Sequence, residues 1–319
     1  MKALVLTGIK QFEIQELDTP EIQPNEVLIN TAYAGVCGTD HDLYAGRPGS
    51  APAVPPIILG HENSGVVAAI GSEVTNVKVG DRVAVDPNIY CGQCEYCLTQ
   101  RPELCDHLSA VGVTRNGGLA TVVYKLPDNV SLRDAAAIEP VSCAVHGLDL
   151  LKLRPYQKAL VIGDGFMGQI FAQLLQAYGV HQVDLAGIFD EKLQRNKEQF
   201  GVTETYNTTR EQIPADSYDV IVEAVGLPTT QAQAVAAAKK GAQVLMFGVG
   251  PQEAHFEMNT YDIYKKQLTI RGSFINPLTF RDAISLVSSG KMNIGGLISH
   301  ELELEQVQDF LDGKVTGVS

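Results

Sequence analysis

Four of the chain's six cysteines fall between residues 91 and 105, in the segment CGQCEYCLTQRPELC. Spacings of two, two and seven intervening residues let one loop turn four thiolates toward a tetrahedral ion, with zinc–sulfur distances of ~2.3 Å. Four thiolates leave no open position for water or substrate, so we predict a structural zinc site that performs no reaction. The alternatives are four unligated reduced thiols or a nucleic-acid zinc ribbon. The predicted ligands are Cys91, Cys94, Cys97 and Cys105.

A second set of metal-binding residue types lies in three other segments. Cys37 stands in AGVCGTDHDLYAG, His61 and Glu62 in LGHENSGVVAAIGSEV, and Glu139 in AAIEPVSCAVHG. One thiolate, one imidazole and a carboxylate leave a fourth position for an exchangeable oxygen, which is typical of catalytic zinc. Each residue alone has a structural alternative: a small buried thiol, a hydrogen-bonded histidine, or a charge at a helix N-terminus.

The segment GDGFMG follows the apolar run KALVI and precedes a helical pattern. This is the context that the G-x-G-x-x-G dinucleotide fingerprint requires. The first glycine permits a tight turn, the second lets a pyrophosphate approach the backbone, and the third allows close helix packing. The alternative is a glycine turn in an α/β domain that binds nothing. The predicted contacts in this turn are Gly163, Gly165, Phe166, Met167 and Gly168.

An acidic residue is expected about twenty positions further on, where it would bind the ribose 2′-hydroxyl of NAD. The chain has Gly187 near that place, in VDLAGIFDEKLQRNK, and Asp190 three residues later. Asp190 would reach the ribose 2′-hydroxyl of NAD if the second strand of the sheet extends beyond Gly187. Alternatively, Gly187 makes room for the 2′-phosphate of NADP, which Lys192 or Arg195 would bind. The two cations also fit a solvated helix face, so the sequence leaves both NAD and NADP open.

The elements that must position these residues change character along the chain. Residues 1–147 consist mostly of short β-like runs separated by glycine and proline, which predicts an all-β domain. Beyond residue 148, strand runs that end in glycine alternate with helical segments such as QIFAQLLQAYG and TTQAQAVAAAKK. This alternation predicts a doubly wound parallel sheet. Near the end, LTFRDAISLVSSG predicts a helix, and LISHELEL is β-like before a last helical segment.

Composition limits the possible partners and location. A net charge of −13 and a pI near 5.0 oppose binding to nucleic acid or to anionic lipid. No apolar run is long enough for a membrane span, and MKALVLTGIKQFEIQEL has no signal-peptide pattern, so we expect a cytoplasmic protein. Clustered cysteines in such a chain favour metal binding over disulfides.

Together these motifs resemble the zinc-dependent medium-chain dehydrogenases of the alcohol, sorbitol and threonine dehydrogenase group. The resemblance rests on GVCGTD, GHENSGVVAAIGSEV, GDRV, the four-cysteine loop, IEP and VIGDGFMG, and covers nearly the whole chain. It implies a GroES-like β-rich catalytic domain over 1–147 and 278–319 and a Rossmann cofactor domain over 148–277. It also implies a homodimer or homotetramer that binds zinc, NAD or NADP, and a small alcohol or polyol.

The resemblance further assigns roles to residues. Cys37, His61 and Glu62 would form the catalytic zinc shell, with Glu139 as fourth ligand or neighbour and Thr39 in the proton relay. Glutamate at 139, where alcohol dehydrogenases proper carry cysteine, points toward polyol or polyol-phosphate oxidation, arabitol types included. We expect a hydride to pass from a secondary alcohol to the dinucleotide. The predicted dinucleotide contacts also include Val225, Phe247 and Phe274.

The chain departs from the family pattern at Asp42 and near Ile275. Asp42 stands where many relatives carry a relay histidine, with His41 one residue earlier. Sorbitol dehydrogenases proper carry, at about the place of Ile275, an arginine that meets a sugar hydroxyl, and the isoleucine here disfavours sorbitol. Arg47 and Arg115 are the candidates for binding a substrate phosphate.

The alternative functions are a glucose, threonine or simple alcohol dehydrogenase, and more remotely a non-catalytic zinc- and nucleotide-binding redox sensor.

Overall fold

The computed structural model describes residues 1–49, 51–117 and 119–315. The chain divides into two compact units. Unit 1 comprises Met1–Pro140, Phe280–Ser288 and the chain from Ile298; unit 2 comprises Val141–Thr279 and Ser289–Leu297. The sequence-based limits, 1–147 with 278–319 and 148–277, stay a prediction, and their residues 316–319 lie outside the described part.

Both units contain strands and helices. The strands are β1 (Lys2–Gly8), β2 (Gln11–Glu16), β3 (Val27–Gly35), β4 (Ile57–Ile58), β5 (Glu62–Ile70), β6 (Arg82–Asp86), β7 (Asn88–Ile89), β8 (Ser109–Ala110), β9 (Leu119–Ala120), β10 (Val122–Lys125), β11 (Lys158–Ile162), β12 (Gln182–Gly187), β13 (Thr205–Asn207), β14 (Tyr218–Glu223), β15 (Ala238–Met246) and β16 (Thr269–Gly272). The α-helices are α1 (Gly38–Tyr44), α2 (Glu95–Leu98), α3 (Leu132–Ala135), α4 (Ile138–Asp149), α5 (Phe166–Ala177), α6 (Asp190–Gln199), α7 (Pro228–Ala237), α8 (Thr260–Lys266), α9 (Phe280–Ser288) and α10 (Val307–Leu311). Short 3₁₀ helices cover Pro102–Leu104, Gly295–Leu297 and Leu304–Gln306.

Unit 1 is built on antiparallel sheets. Its largest sheet has the strand order β10-β6-β5-β3-β9, and a smaller one has the order β2-β1-β4. β-Branched side chains from facing strands, including Val27, Val67 and Val83, form its buried core. Valine and isoleucine pack well on a pleated surface, which explains why these short runs form strands. The sheet holds β3 beside β5, whose ends carry the candidate metal ligands.

Unit 2 contains a six-stranded parallel sheet with the order β13-β12-β11-β14-β15-β16. Its central strands are apolar on both faces because helices cover both sides of such a sheet. Leu160, Ile221 and Val244 on three of these strands are fully buried. The strand order reverses between β11 and β14, and ligands of doubly wound sheets bind outside the carboxyl ends of the strands at such a point.

Two expectations about secondary structure need correction. The first part of the chain is not all-β, because helices α1, α2 and α3 lie within residues 1–147 and α4 begins there. The segment LISHELEL forms no strand in the described part of the chain, and a 3₁₀ helix begins at its last residue. Its alternating pattern has no strand to pair with, while Glu301 instead pairs with Arg133. No helix among the described residues is both long and apolar enough to span a membrane.

Candidate functional site

The four-cysteine loop brings its sulfur atoms together. The ligand atoms of Cys91, Cys94, Cys97 and Cys105 all lie within 4.8 Å of one another. Short elements position them: helix α2 follows Cys94, and strands β7 and β8 pair at the base of the loop. The backbone N–H groups of Cys91 and His107 donate to Cys105 Sγ at 3.4 Å, and that of Cys94 donates to Cys91 Sγ at 3.3 Å. Backbone donors of this kind favour thiolates over thiols.

The second group forms where strand β5 and helix α1 begin. The ligand atoms of Cys37, His61 and Glu62 lie within 4.8 Å of one another, and Cys37 Sγ is 3.2 Å from His61 Nε2. Cys37 is the N-cap of α1, while Glu62 is the first residue of β5 and lies opposite Gly35 on β3. His61 and Glu62 are buried. The structure therefore brings three of the four predicted catalytic-zinc residues into one group.

Two residues that the sequence reading missed shape this group. A Cβ atom at Gly35 would lie 1.9 Å from Glu62 Oε2, so this glycine leaves the space that the Glu62 carboxylate occupies. Asp40 accepts a hydrogen bond from the backbone N–H of Cys37 at 3.0 Å, and its other oxygen lies 3.7 Å from His61 Nδ1. The signal for Asp40 was its position three residues after the cysteine in GVCGTD.

Burial and neighbouring carboxylates control the charge of this group. Burial, with Asp40 and Glu62 nearby, raises the pKa of the Cys37 thiol well above its ordinary value. Burial also raises the pKa of Glu62 to about 8. Burial alone would lower the pKa of His61, but Asp40, Glu139 and Glu62 outweigh it and hold that pKa above its ordinary value. A cation would relieve the crowding of these acidic groups.

Glu139 and Thr39 adjoin the group without belonging to it. Glu139 lies buried in the first turn of α4, close enough for its charge to raise the pKa of Cys37, His61 and Glu62. Thr39 is half-buried in the first turn of α1, two residues after Cys37. Glu139 is therefore near enough to influence the charge of the group, although its carboxylate is not among the ligand atoms that lie within 4.8 Å of one another.

Both groups fit zinc by their donor chemistry. The loop offers four sulfur atoms, and all six cysteines are free. The second group offers sulfur, nitrogen and carboxylate oxygen, the donor set of zinc sites with an open position. His61 Nδ1 and Asp40 Oδ1 are buried without hydrogen-bond partners. A histidine that binds metal through its other nitrogen would present Nδ1–H to this carboxylate.

In unit 2 the glycine turn follows β11 and leads into α5. Gly163 has φ +123°, a conformation that side chains rarely adopt, and a Cβ at Gly168 would lie 1.8 Å from the Gly163 carbonyl oxygen. Gly165 is the N-cap of α5 and faces open space, and Phe166 and Met167 form the first helical residues. This geometry leaves the N–H groups of a 12-residue helix accessible to an anion.

The segment after β12 has an arrangement that the sequence did not reveal. β12 ends at Gly187, and Asp190 is the first residue of α6, so the strand does not extend to Asp190. Asp190 accepts hydrogen bonds from Arg210, at 2.6 and 2.8 Å, and from Asn207, and these lower its pKa to about 2. Asp164 of the glycine turn occupies the space beside Gly187.

The remaining predicted dinucleotide residues follow the carboxyl ends of neighbouring strands. Val225 comes after β14, Phe247 after β15 and Phe274 after β16. Glu223, buried at the end of β14, accepts the backbone N–H groups of Val225 and Gly226 at 2.9 Å and so fixes that loop. Val225, Phe247 and Phe274 therefore follow the carboxyl ends of three strands, at the same edge of the parallel sheet as the glycine turn after β11.

Comparison with known families identifies two domains in this chain. Residues 23–132 match the alcohol dehydrogenase GroES-like domain, and residues 167–289 match the zinc-binding dehydrogenase domain. A D-arabinitol dehydrogenase 1 of Uromyces fabae is 33% identical over 98% of this chain and 93% of its own length. The chain belongs to the zinc-binding dehydrogenases of the alcohol dehydrogenase type, with a GroES-like and a Rossmann-type domain.

Two solved structures have folds similar to that of this chain. A protein of Sinorhizobium meliloti 1021, described as a zinc-binding dehydrogenase and bound to NADP, has a TM-score of 0.93 and 32% identity, covering 97% of this chain and 94% of its own. Galactitol-1-phosphate dehydrogenase from Escherichia coli has a TM-score of 0.88 and 28% identity, covering 99% and 98%. The present protein is accordingly a zinc-dependent dehydrogenase that uses a nicotinamide dinucleotide.

Proposed function

We propose that this enzyme transfers a hydride between NAD(P) and a secondary alcohol of a polyol or polyol phosphate. The observation that carries the proposal is the buried group of Cys37, His61 and Glu62, with Glu139 near it. Such a donor set suits zinc with an exchangeable position. The similarity to D-arabinitol and galactitol-1-phosphate dehydrogenases supports the substrate class.

In this proposal Cys37, His61 and either Glu62 or Glu139 hold the catalytic zinc. When bound, zinc supplies Lewis-acid polarisation of the alcohol oxygen and lowers the alcohol pKa. The Thr39 hydroxyl accepts the alcohol proton and passes its own proton onward. A dinucleotide held by the parallel-sheet unit would supply the acceptor for the hydride of the carbinol carbon, so the products would be a ketone, the reduced dinucleotide and a proton.

The proposal extends to the dinucleotide site and the assembly. The segments after β11 and β12 would bind the pyrophosphate and the adenosine ribose, and the loops after β14, β15 and β16 would line the rest of the site. The residues are Gly163, Gly165, Phe166, Met167, Gly168, Gly187, Asp190, Lys192, Arg195, Val225, Phe247 and Phe274. We propose a cytoplasmic location, because six free cysteines suit a reducing compartment. We propose a homodimer or homotetramer from the likeness to the family.

The test is the initial rate of nicotinamide reduction by zinc-loaded protein with pentitols, hexitols and their phosphates. Glucose, threonine and simple alcohols complete the panel, each with NAD and with NADP. We expect the highest kcat/KM for a polyol or polyol phosphate, and Cys37→Ser should abolish it while the fold stays intact. A higher kcat/KM for glucose, threonine or a simple alcohol would make that compound class the substrate in place of polyols. No measurable nicotinamide reduction with any compound would favour the redox-sensor alternative.

A further inference from the structure

The carboxylate of Asp164 fills the place of a side chain at position 187. A Cβ atom built on Gly187 would lie 2.4 Å from both Cγ and Oδ2 of Asp164. Gly187 is not among the residues with positive φ, so its backbone does not require glycine. The glycine is needed for space, and the group that takes the space is an acid from the neighbouring turn.

Asp164 is bound to the segment that follows β12. Its Oδ2 atom accepts the backbone N–H groups of Ile188 and Phe189, both at 2.8 Å. The side chain is largely buried, with the residue 7% exposed. These two N–H groups lie where dinucleotide-binding sheets place the acid that hydrogen-bonds the adenosine ribose. The negative charge missing at position 187 is therefore supplied from position 164.

We propose that Asp164 is the specificity-determining residue that makes this enzyme select NAD over NADP. The 2′-hydroxyl of NAD can donate to the carboxylate, whereas the 2′-phosphate of NADP would meet a negative charge. That phosphate would also find the N–H groups of Ile188 and Phe189 already used. The inference rests on the proposed dinucleotide binding and decides between its two cofactors.

The nearby cations have partners of their own. Arg210 makes hydrogen bonds with both carboxylate oxygens of Asp190, and Arg195 donates to Gln169 Oε1 at 2.6 Å. Lys192 Nζ lies over the Phe189 ring, 4.7 Å from its centroid. Binding NAD needs none of these cations, whereas a 2′-phosphate would draw on cations that already hold other contacts.

The experiment measures the Kd of NADH and of NADPH by the fluorescence of the bound nicotinamide, which needs no turnover. Wild-type protein should bind NADH more tightly by about tenfold or more, since hydrogen bonds to charged groups contribute that much. Asp164→Ala should shrink the ratio of the two Kd values by about tenfold, because it frees both N–H groups and removes the charge. Asp164→Asn is a milder variant that should move the ratio in the same direction.

A double variant tests the position of the charge. Asp164→Ala combined with Gly187→Asp returns a carboxylate to the same space from the other side, and we expect it to restore the NADH preference. Gly187→Asp alone should lower the melting temperature, because its Cβ meets Asp164. The matched control is Asp219→Asn. Asp219 accepts the backbone N–H of Lys158 at the opposite end of β11, and its loss should leave the ratio unchanged.

The possible outcomes distinguish the role of Asp164 in selecting NAD over NADP from dinucleotide binding itself. Equal Kd values for NADH and NADPH in the wild-type protein, or tighter NADPH binding, would overturn the role of Asp164. So would an unchanged ratio in both Asp164→Ala and Asp164→Asn. Binding of neither dinucleotide by the wild-type protein would overturn the proposed function together with the selection.

Discussion

The two carboxylate oxygens of Asp40 contact two different candidate zinc ligands. Oδ1 lies 3.7 Å from Nδ1 of His61, and Oδ2 accepts the backbone N–H of Cys37 at 3.0 Å. The opposite ring nitrogen, His61 Nε2, is 3.2 Å from Cys37 Sγ. One buried acid therefore fixes the start of α1 and faces the side of the imidazole that points away from the candidate metal position.

Asp40→Asn should weaken zinc binding while the fold is retained. The amide keeps the size of the side chain, but it loses the negative charge that favours an N–H at His61 Nδ1. Loss of such a partner typically costs about 10- to 100-fold in metal affinity. The measurement is the zinc content of the protein against increasing chelator, with Asp42→Asn as the control. Asp42 lies on the same helix and pairs with Arg47, so its loss should leave zinc retention unchanged.

Zinc uptake by the zinc-free protein should release protons at neutral pH. Burial raises the pKa of the Cys37 thiol well above its ordinary value and that of Glu62 to about 8, so both groups carry protons at pH 7. Zinc requires deprotonated ligands. Apparent zinc affinity should therefore increase as the pH rises through the pKa of Glu62 and decrease as it falls.

Calorimetric titration in buffers with different ionisation enthalpies measures the number of released protons. Cys37→Ser and Glu62→Gln should each release fewer protons than the wild-type protein, and the four-cysteine loop contributes equally to all three. Proton release that is the same in all three proteins would contradict the assigned protonation states.

Cys94→Ser should lower stability before it affects the reaction. The four sulfur atoms lie within 4.8 Å of one another, and backbone hydrogen bonds lower the pKa of Cys94 to about 6, which favours the thiolate. Losing a ligand of a structural zinc should lower the melting temperature by about 5 °C or more and reduce the zinc content. The matched control is Cys143→Ser, because Cys143 belongs neither to the four-cysteine loop nor to the group of Cys37, His61 and Glu62. Equal melting temperatures for Cys94→Ser and wild type would argue against a structural zinc.

The sequence predicted the fold class because each unit has a strong local pattern. The alternation of strand runs with helices gave the parallel sheet, and the helix pattern of LTFRDAISLVSSG corresponds to α9. LISHELEL shows the limit of such patterns, since a strand exists only where another strand pairs with it. Nothing in a local pattern reports that missing partner.

At the candidate sites, residue type predicted the donors, and only the structure revealed what holds them. Gly35 is ordinary in sequence, yet its missing side chain leaves the space for Glu62 across a strand pair. Asp164 lies 23 residues before Gly187, and their relation appears only when β11 and β12 pair side by side. Such relations depend on register, which a single sequence does not show.

Thr39→Val should lower kcat and leave cofactor binding unchanged. A Cβ atom at Gly49 would lie 3.1 Å from the Thr39 Cγ2 methyl, so the methyl group faces that loop and valine replaces only the hydroxyl. Without a hydroxyl the proposed proton transfer has no acceptor, and general acid–base contributions predict a fall of about 100-fold or more. Thr39→Ser should retain most of kcat because it keeps the oxygen. The measurement is kcat and KM for the best alcohol of the panel together with the NADH Kd; full kcat in Thr39→Val would remove Thr39 from the relay.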